Sequence, residues 1–433
     1  MLVKIDILPA FVVMLFLTTA CNNVSEKSSK QEEAMTVELR NTDGSYRLFL
    51  NDEAFYVKGA GVNNGDIGLL AESGANALRT WSVSEEVLDE ALDNGLMVMM
   101  GISVAKERHG FDYNNEDAVK AQFERIKQQV HSIKDHPALL GWGIGNELNL
   151  RSTNLKVWDA VEEIAAFIHE VDGKHPVTTM LAGIGKTEVD YIREHCPSID
   201  FISIQLYGAI EDLPELIREA GYTGPYLITE WGTAGHWEVP STQWNAPVEN
   251  TSTEKAQEIK YRYENIILAD STSCMGSFVF LWGQKQERTP TWYGLFTENG
   301  RATEAVDVMH YLWKGVWPEN RAPKILEATL DNKTRYDNIT LLPGKTYDVT
   351  YNFNDPDGDS LELRFEILRE STDLKVGGDR ESRPESLDKR VSDIHSNSAS
   401  IVSPGEPGPY RLFIYGTDGH NHAATVNIPF MVQ

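Results

Sequence analysis

Cysteine is scarce: 433 residues carry three, and only Cys196 and Cys274 remain once the N-terminal Cys21 is set aside. Two cysteines do not make a disulfide framework. They fall just before two non-adjacent strands of the pattern described below, so they are expected to be free and buried. Positive charge is also short, with 39 Lys and Arg against 65 Asp and Glu and a formal net charge of -26. Such a surface repels phosphate backbones and argues against nucleic acid as a partner, whereas a neutral polysaccharide is not penalised. No His/Cys cluster has zinc spacing, and no Gly-rich phosphate loop follows the first strand-like run. No metal or cofactor is expected. The apolar run from Ile7 to Leu17 is too short to span a bilayer comfortably.

That run does suit the core of a signal peptide: Lys4 precedes it and "TTAC" closes it at Cys21. The Cys after a small residue resembles a bacterial lipoprotein cleavage box, although Thr18 stands where Leu is usual and Asp6 dilutes the basic start. Residues 1–21 are therefore expected to be a leader and residues 22–35, polar and aperiodic, a flexible tether. The chain is expected to be exported, as a cell-surface or periplasmic lipoprotein whose only membrane contact is a lipid on Cys21.

Beyond the tether, "TVELR" and "YRLFLNDEAFYVKG" alternate apolar and polar residues around Asn41–Gly44, a hairpin signature. Eight apolar runs follow, "YVKGAGV", "NALRTWS", "LMVMMGIS", "LLGWGIGNE", "PVTTML", "DFISIQLYG", "YLITEWG" and "GSFVFLWG", with helical patterns between them. Eight strands alternating with helices predict a closed (β/α)8 barrel, the TIM barrel, over residues 36–318 with the hairpin included. A doubly wound open sheet is the runner-up. After the two prolines of "PENRAPKI" helical periodicity vanishes, and residues 322–433 fit an immunoglobulin-like β-sandwich. The polar stretch from Arg369 to Ser403 has no clear place, beyond a long loop with one edge strand.

Catalytic side chains of a barrel gather at the C-terminal ends of its strands. Those ends supply Asn63, then Arg79 and Trp81, then Asn146-Glu147 after the glycine-spaced "GWGIG" of strand four. Strand six adds Gln205 and Tyr207, strand seven Glu230, and strand eight Trp282. Strands four and seven face each other across a barrel mouth. Two carboxyls placed there can flank a glycosidic bond, and tryptophans offer faces on which sugar rings stack.

Asn-Glu ending strand four with Glu ending strand seven resembles glycoside hydrolase clan A, the retaining (β/α)8 glycosidases, over about Tyr56 to Trp317. A barrel followed by an Ig-like module, with "GHWEVPSTQWNAPVE" and "GQKQERTPTWYG" in its loops, is most similar to the family 158 endo-β-1,3-glucanases. Families 2 and 5 and the fungal β-1,3-glucanosyltransferases share similar strand-end motifs. The resemblance implies Glu147 as general acid/base and Glu230 as nucleophile, held ionised by Arg79 and Tyr207. It implies Asn146 on the sugar 2-hydroxyl and Trp282 as the floor of the attacked sugar's subsite. Gln205 departs from many family 5 relatives, which carry His there. The expected partner is a β-glucan polysaccharide or oligosaccharide, met by a monomer. A transglycosylase, a clan A hydrolase on β-mannan or β-1,4-glucan, and a non-catalytic glycan-binding protein stay open.

Weaker signals complete the reading. Trp237 and Trp244, in the polar loop from Gly232 to Thr253, and Trp292 after strand eight offer further stacking surface. Arg108, His109 and Tyr113 follow strand three and are either subsite or solvated loop residues. Trp158 and Trp313 have the apolar helical spacing of core residues. "NDPDGDS", Asn354–Ser360, alternates aspartates like a calcium loop but reads better as a β-turn. The sandwich itself is expected to be a spacer or packing module.

Overall fold

The computed structural model describes residues 35–387 and 390–433. The leader, Cys21 and the tether up to residue 34 lie outside them. Eight parallel strands close into a barrel: Val57–Asn63, Ala77–Arg79, Met97–Ile102, Leu139–Ile144, Val177–Ala182, Phe201–Gln205, Tyr226–Trp231 and Cys274–Gly283, with the eighth pairing the first. Runs such as "LLGWGI" and "YLITEW" are buried along their whole length, as strands covered on both faces must be. Helices between them are cut out by local chemistry. Asn115 caps the helix Glu116–Ile133 by accepting from the Ala118 N–H, and Thr251 with Glu254 forms a reciprocal capping box on Ser252–Arg262. Among the described residues no helix is long and apolar enough to cross a membrane.

The N-terminal hairpin gains a third strand, giving an antiparallel sheet of Val37–Thr42, Ser45–Leu50 and Glu53–Phe55. Its Val37, Leu48 and Leu50 share one apolar cluster with Val57, Ala77, Met97 and Phe201, the first residues of four barrel strands. Among the described residues the sheet therefore packs on the N-terminal end of the barrel, the end opposite the one where barrel chemistry is placed. Cys196 and Cys274 are free and buried, and Trp158 and Trp313 lie in the core.

The C-terminal region forms two four-stranded sheets around one core that includes Leu330, Val349, Ile401, Leu412 and Ile428. It docks on the segment after barrel strand seven. Asn427 Nδ2 donates to Glu249 Oε2 at 2.6 Å, the Thr425 N–H to Ser252 Oγ at 2.9 Å, and Arg411 Nη2 to the Pro247 carbonyl at 2.8 Å. Glu249 is fully enclosed, and the Lys255 ammonium at 2.5 Å is its counter-charge. From this module the polar stretch after Glu362–Arg369 runs back toward the barrel mouth before the short edge strand Val391–Ser392.

Candidate active site

Strand four ends at Ile144, and the chain then turns through Gly145 at φ 72° and Glu147 at φ 52°. Only glycine fits the first position, because a Cβ there would sit 2.4 Å from Leu148 Cδ1. Glu147 is a non-glycine residue in the left-handed region, a conformation kept only where its surroundings enforce it. Its N–H donates to the Met180 carbonyl at 2.9 Å and its own carbonyl accepts from Arg108 Nη1 at 3.2 Å. The glycine-spaced run thus aims one carboxyl into the mouth. Glu230, five per cent exposed, reaches the same space from strand seven.

The two carboxyls are treated differently. Glu230 Oε1 accepts from Arg79 Nη1 at 3.1 Å and Trp81 Nε1 at 3.0 Å, and Oε2 accepts from the Tyr207 hydroxyl at 2.9 Å. Three donors, one of them cationic, therefore converge on the Glu230 carboxyl and fix both of its oxygens. Tyr207 keeps its proton to donate, because burial and the Glu230 charge push its pKa well up. Burial pushes the Glu147 carboxyl up to about 7, and the Glu230 charge works in the same direction. Lys106, Arg108 and Arg79 pull it back down.

Asn146 is fixed as firmly. Its Oδ1 accepts from Arg79 Nη2 and Gln205 Nε2, both at 2.8 Å, which leaves the amide N–H groups to face the cleft. Arg79 and Gln205 are themselves buried and do not line the cleft. They hold Glu230 and Asn146 from behind rather than reach a ligand in the cleft. Burial lowers the Arg79 pKa while the neighbouring carboxylates and the Tyr207 phenol oppose it.

The cleft measures about 1160 Å³ and is lined by Asn63, Trp81, Asn146, Glu147, Tyr207, Glu230 and Trp237 from the expected set. Trp237 is 59% exposed and stands edge-on to Tyr207 at 5.8 Å. Three expected aromatic contacts are overturned. Trp282 is fully buried, donates to the Asp66 carbonyl at 2.8 Å and packs on Phe296 and Trp313. A register shift between Val279 and Trp282 breaks the strand's alternation, so Phe280 lines the cleft in its place. Trp292 is buried with its Nε1 on the Ala234 carbonyl, and its neighbour Tyr293 faces the cleft instead. Trp244 is half-buried outside the cleft, on a part of its loop tied to the C-terminal module by the Gln243 N–H to Asn338 Oδ1 bond at 2.7 Å. Tyr113 is core, with its hydroxyl on the Ala105 carbonyl.

Sequence reading missed two contributors. Lys106, after strand three, lines the cleft with an ammonium that makes no ion pair or hydrogen bond among the described residues. Burial, and then Arg108, lowers its pKa. A lone loop lysine carries no periodic signal, so only the fold reveals it. The second is the loop Asp373–Arg383, which lines the cleft from the C-terminal module. The module is therefore more than a spacer. The "NDPDGDS" stretch does form a turn, with Asp355 Oδ1 accepting from the N–H groups of Asp357 and Asp359. Asp355, Asp359 and Asp418 come within 4.8 Å of one another there, away from the cleft.

Comparison with known proteins agrees with the barrel at a coarse level. Residues 58–240 match the family described as glycosyl hydrolases family 2, TIM barrel domain. The chain is 24% identical over 304 residues to mannan endo-1,4-beta-mannosidase F of Aspergillus clavatus, covering 52% of this chain and 69% of that one. It is 21% identical over 248 residues to the probable mannan endo-1,4-beta-mannosidase A-2 of Aspergillus terreus, covering 45% and 61%. Among solved structures, the GH2 beta-galacturonidase of Eisenbergiella tayi, bound to galacturonate, gives a TM-score of 0.51 at 18% identity. The beta-D-glucuronidase of Dictyoglomus thermophilum gives 0.52, also at 18%. Each covers 65% of this chain, which spans about half the length of either (54%). At that identity the likeness concerns the barrel fold alone. The barrel is similar to those of clan A glycosidases, while the narrower resemblance to family 158 gains no support.

Proposed function

We propose that this chain is a retaining glycoside hydrolase acting on a β-linked glycan, with Glu230 as nucleophile and Glu147 as acid/base. The observation that carries the reading is the asymmetry of the two carboxyls, one held by three donors and the other pushed up to about 7 by burial. A Glu230 oxygen attacks the anomeric carbon while the bond to the leaving oxygen breaks and Glu147 gives that oxygen its proton. The resulting carboxylate of Glu147 then takes a proton from water, whose oxygen displaces Glu230 from the anomeric carbon. Two inversions retain the β configuration. The Asn146 amide donates to the 2-hydroxyl, a bond that strengthens as positive charge develops on the ring.

The substrate we put first is a β-1,3-glucan of the laminarin type, cut internally. At about 1160 Å³ the cleft exceeds the roughly 300–1,000 Å³ of pockets that hold one small ligand. It has room for consecutive sugars, with Trp237 as an exposed stacking face. A β-1,4-mannan is the second reading, favoured by the likeness to the two fungal mannosidases. A sugar hydroxyl in place of water would make the same site a transglycosylase. Products from laminarin, curdlan, mannan, xylan and β-1,4-glucan separate these readings, and NMR of the first-formed reducing end is expected to report the β-anomer. An initial α-anomer contradicts double displacement, and cleavage of mannan alone moves the substrate to the second reading. Export with Cys21 lipidated belongs to the same proposal, and labelling with a fatty acid that disappears in Cys21→Ser tests it.

The pH profile follows from the acid. Glu147 must enter the first step protonated, so kcat/KM is expected to fall as pH rises through about 7. Lys106 favours the carboxylate form of Glu147. Lys106→Met removes that cation, so the basic limb should move to higher pH. A limb that stays in place or moves down would show that Lys106 does not act on the acid.

A further inference from the structure

We propose that the loop Asp373–Arg383 of the C-terminal module is one wall of the glycan cleft and forms a sugar-binding subsite away from the cleaved bond, with Arg380 as its polar contact. This rests on the glycosidase reading above and deepens it. The loop reaches the cleft that holds Glu147 and Glu230, although it belongs in sequence to a module remote from the barrel motifs.

Its anchors come from two barrel loops. From the loop after strand three, His109 Nε2 meets Asp379 at 2.7 Å, Arg108 meets the same carboxylate at 3.5 Å, and Arg108 Nη2 donates to the Gly377 carbonyl at 3.2 Å. From the loop after strand eight, Lys285 donates to the Gly378 carbonyl at 2.8 Å. Arg288 pairs with the buried Glu381, and its Nη2 donates to the Lys375 carbonyl at 3.2 Å. Strands eight and three are separated by strands one and two, so the loop arches over that side of the mouth, beside Asn63 and Trp81. Gly377 passes so close to Arg108 that a Cβ would lie 2.7 Å from its Nη2.

Apolar burial does not explain this placement, since Leu374 is 54% exposed. Ordering a polar loop costs conformational entropy that hydrophobic burial here does not offset, so the charged anchors fix it. The loop's acids are all engaged: Asp373 with Lys375 of the loop itself, Asp379 with His109 and Glu381 with Arg288 of the barrel loops. Arg380 is left exposed at the cleft, with no ion pair or hydrogen bond among the described residues. A guanidinium with five free N–H groups is suited to the hydroxyl pairs of a neutral sugar ring.

The test uses the full chain, laminarihexaose and mannohexaose. Arg380→Ala is expected to raise KM for the hexasaccharide that is cleaved about tenfold with kcat within twofold. On the Glu147→Gln background it should weaken hexasaccharide affinity, by calorimetry, to the same extent. Asp379→Ala, which frees the loop from His109 and Arg108, should do likewise. Unchanged KM and affinity in Arg380→Ala overturn the proposal, even if Asp379→Ala lowers Tm, for the loop would then only brace the fold. A wild type that neither cleaves nor binds either hexasaccharide overturns the β-1,3-glucan and β-mannan readings beneath it. Normal cleavage with an indifferent Arg380→Ala overturns the loop subsite alone.

Discussion

Glu230→Ala is expected to lose on the order of 10⁴-fold or more of kcat, and Glu147→Ala roughly 10²- to 10⁴-fold, with both proteins still folded. The two losses differ in kind, and azide exposes the difference. In Glu147→Ala the nucleophile is intact, so an aryl glycoside with a good leaving group still forms the glycosyl-enzyme. Azide, needing no base, then displaces Glu230 and gives a β-glycosyl azide. In Glu230→Ala the cavity lies on the opposite face of the ring, and azide entering there gives the α-glycosyl azide directly. Mass spectrometry and NMR of the azide products check both. Near-wild-type activity in either variant, or the same azide anomer from both, would refute the division of roles.

What the residues announced and what they hid follow from the range of the interactions. The barrel strands were legible because "LLGWGIGNE" and "YLITEWG" are apolar runs of strand length that end in a polar group, and burial on both faces requires such runs. Glu147 and Glu230 were legible for the same reason: a carboxylate closing a buried run has few uses other than the mouth. Trp282 was misplaced because alternation was carried through a strand whose register shifts between Val279 and Trp282. No local pattern marks such a shift. Trp292 and Tyr293 exchange roles through one residue of phase in a loop, where no period exists. The Asp373–Arg383 loop stayed illegible because its anchors pair residues about 90 to 270 positions apart, such as Arg288 with Glu381 and His109 with Asp379. Side-chain contacts of that span leave no trace in composition or spacing.

Arg79→Met should cost both activity and stability, and the two can be separated. The Arg79 side chain is wholly buried and donates to Glu230 Oε1, to the Thr229 carbonyl at 2.8 Å and to Asn146 Oδ1. Methionine fills much of the volume but leaves Glu230 without its cation and Asn146 with one donor fewer. Removing one partner of a buried pair costs about 3–5 kcal/mol, because a charge remains unpaired. Catalysis should fall by roughly 10²- to 10³-fold, the scale set by losing one preorganised donor at a reacting group. Arg79→Lys should recover little, since one ammonium cannot serve three acceptors in the plane that a guanidinium spans. The decisive variant is the double one. If the stability loss comes from an unpaired Glu230 carboxylate, Glu230→Gln on top of Arg79→Met should return part of it in chemical denaturation while activity stays absent. If the double variant is less stable than Arg79→Met, by the full cost of each change, the penalty lies in packing around Trp81, whose ring the guanidinium covers at 4.7 Å, and Glu230 does not depend on Arg79 for its charge.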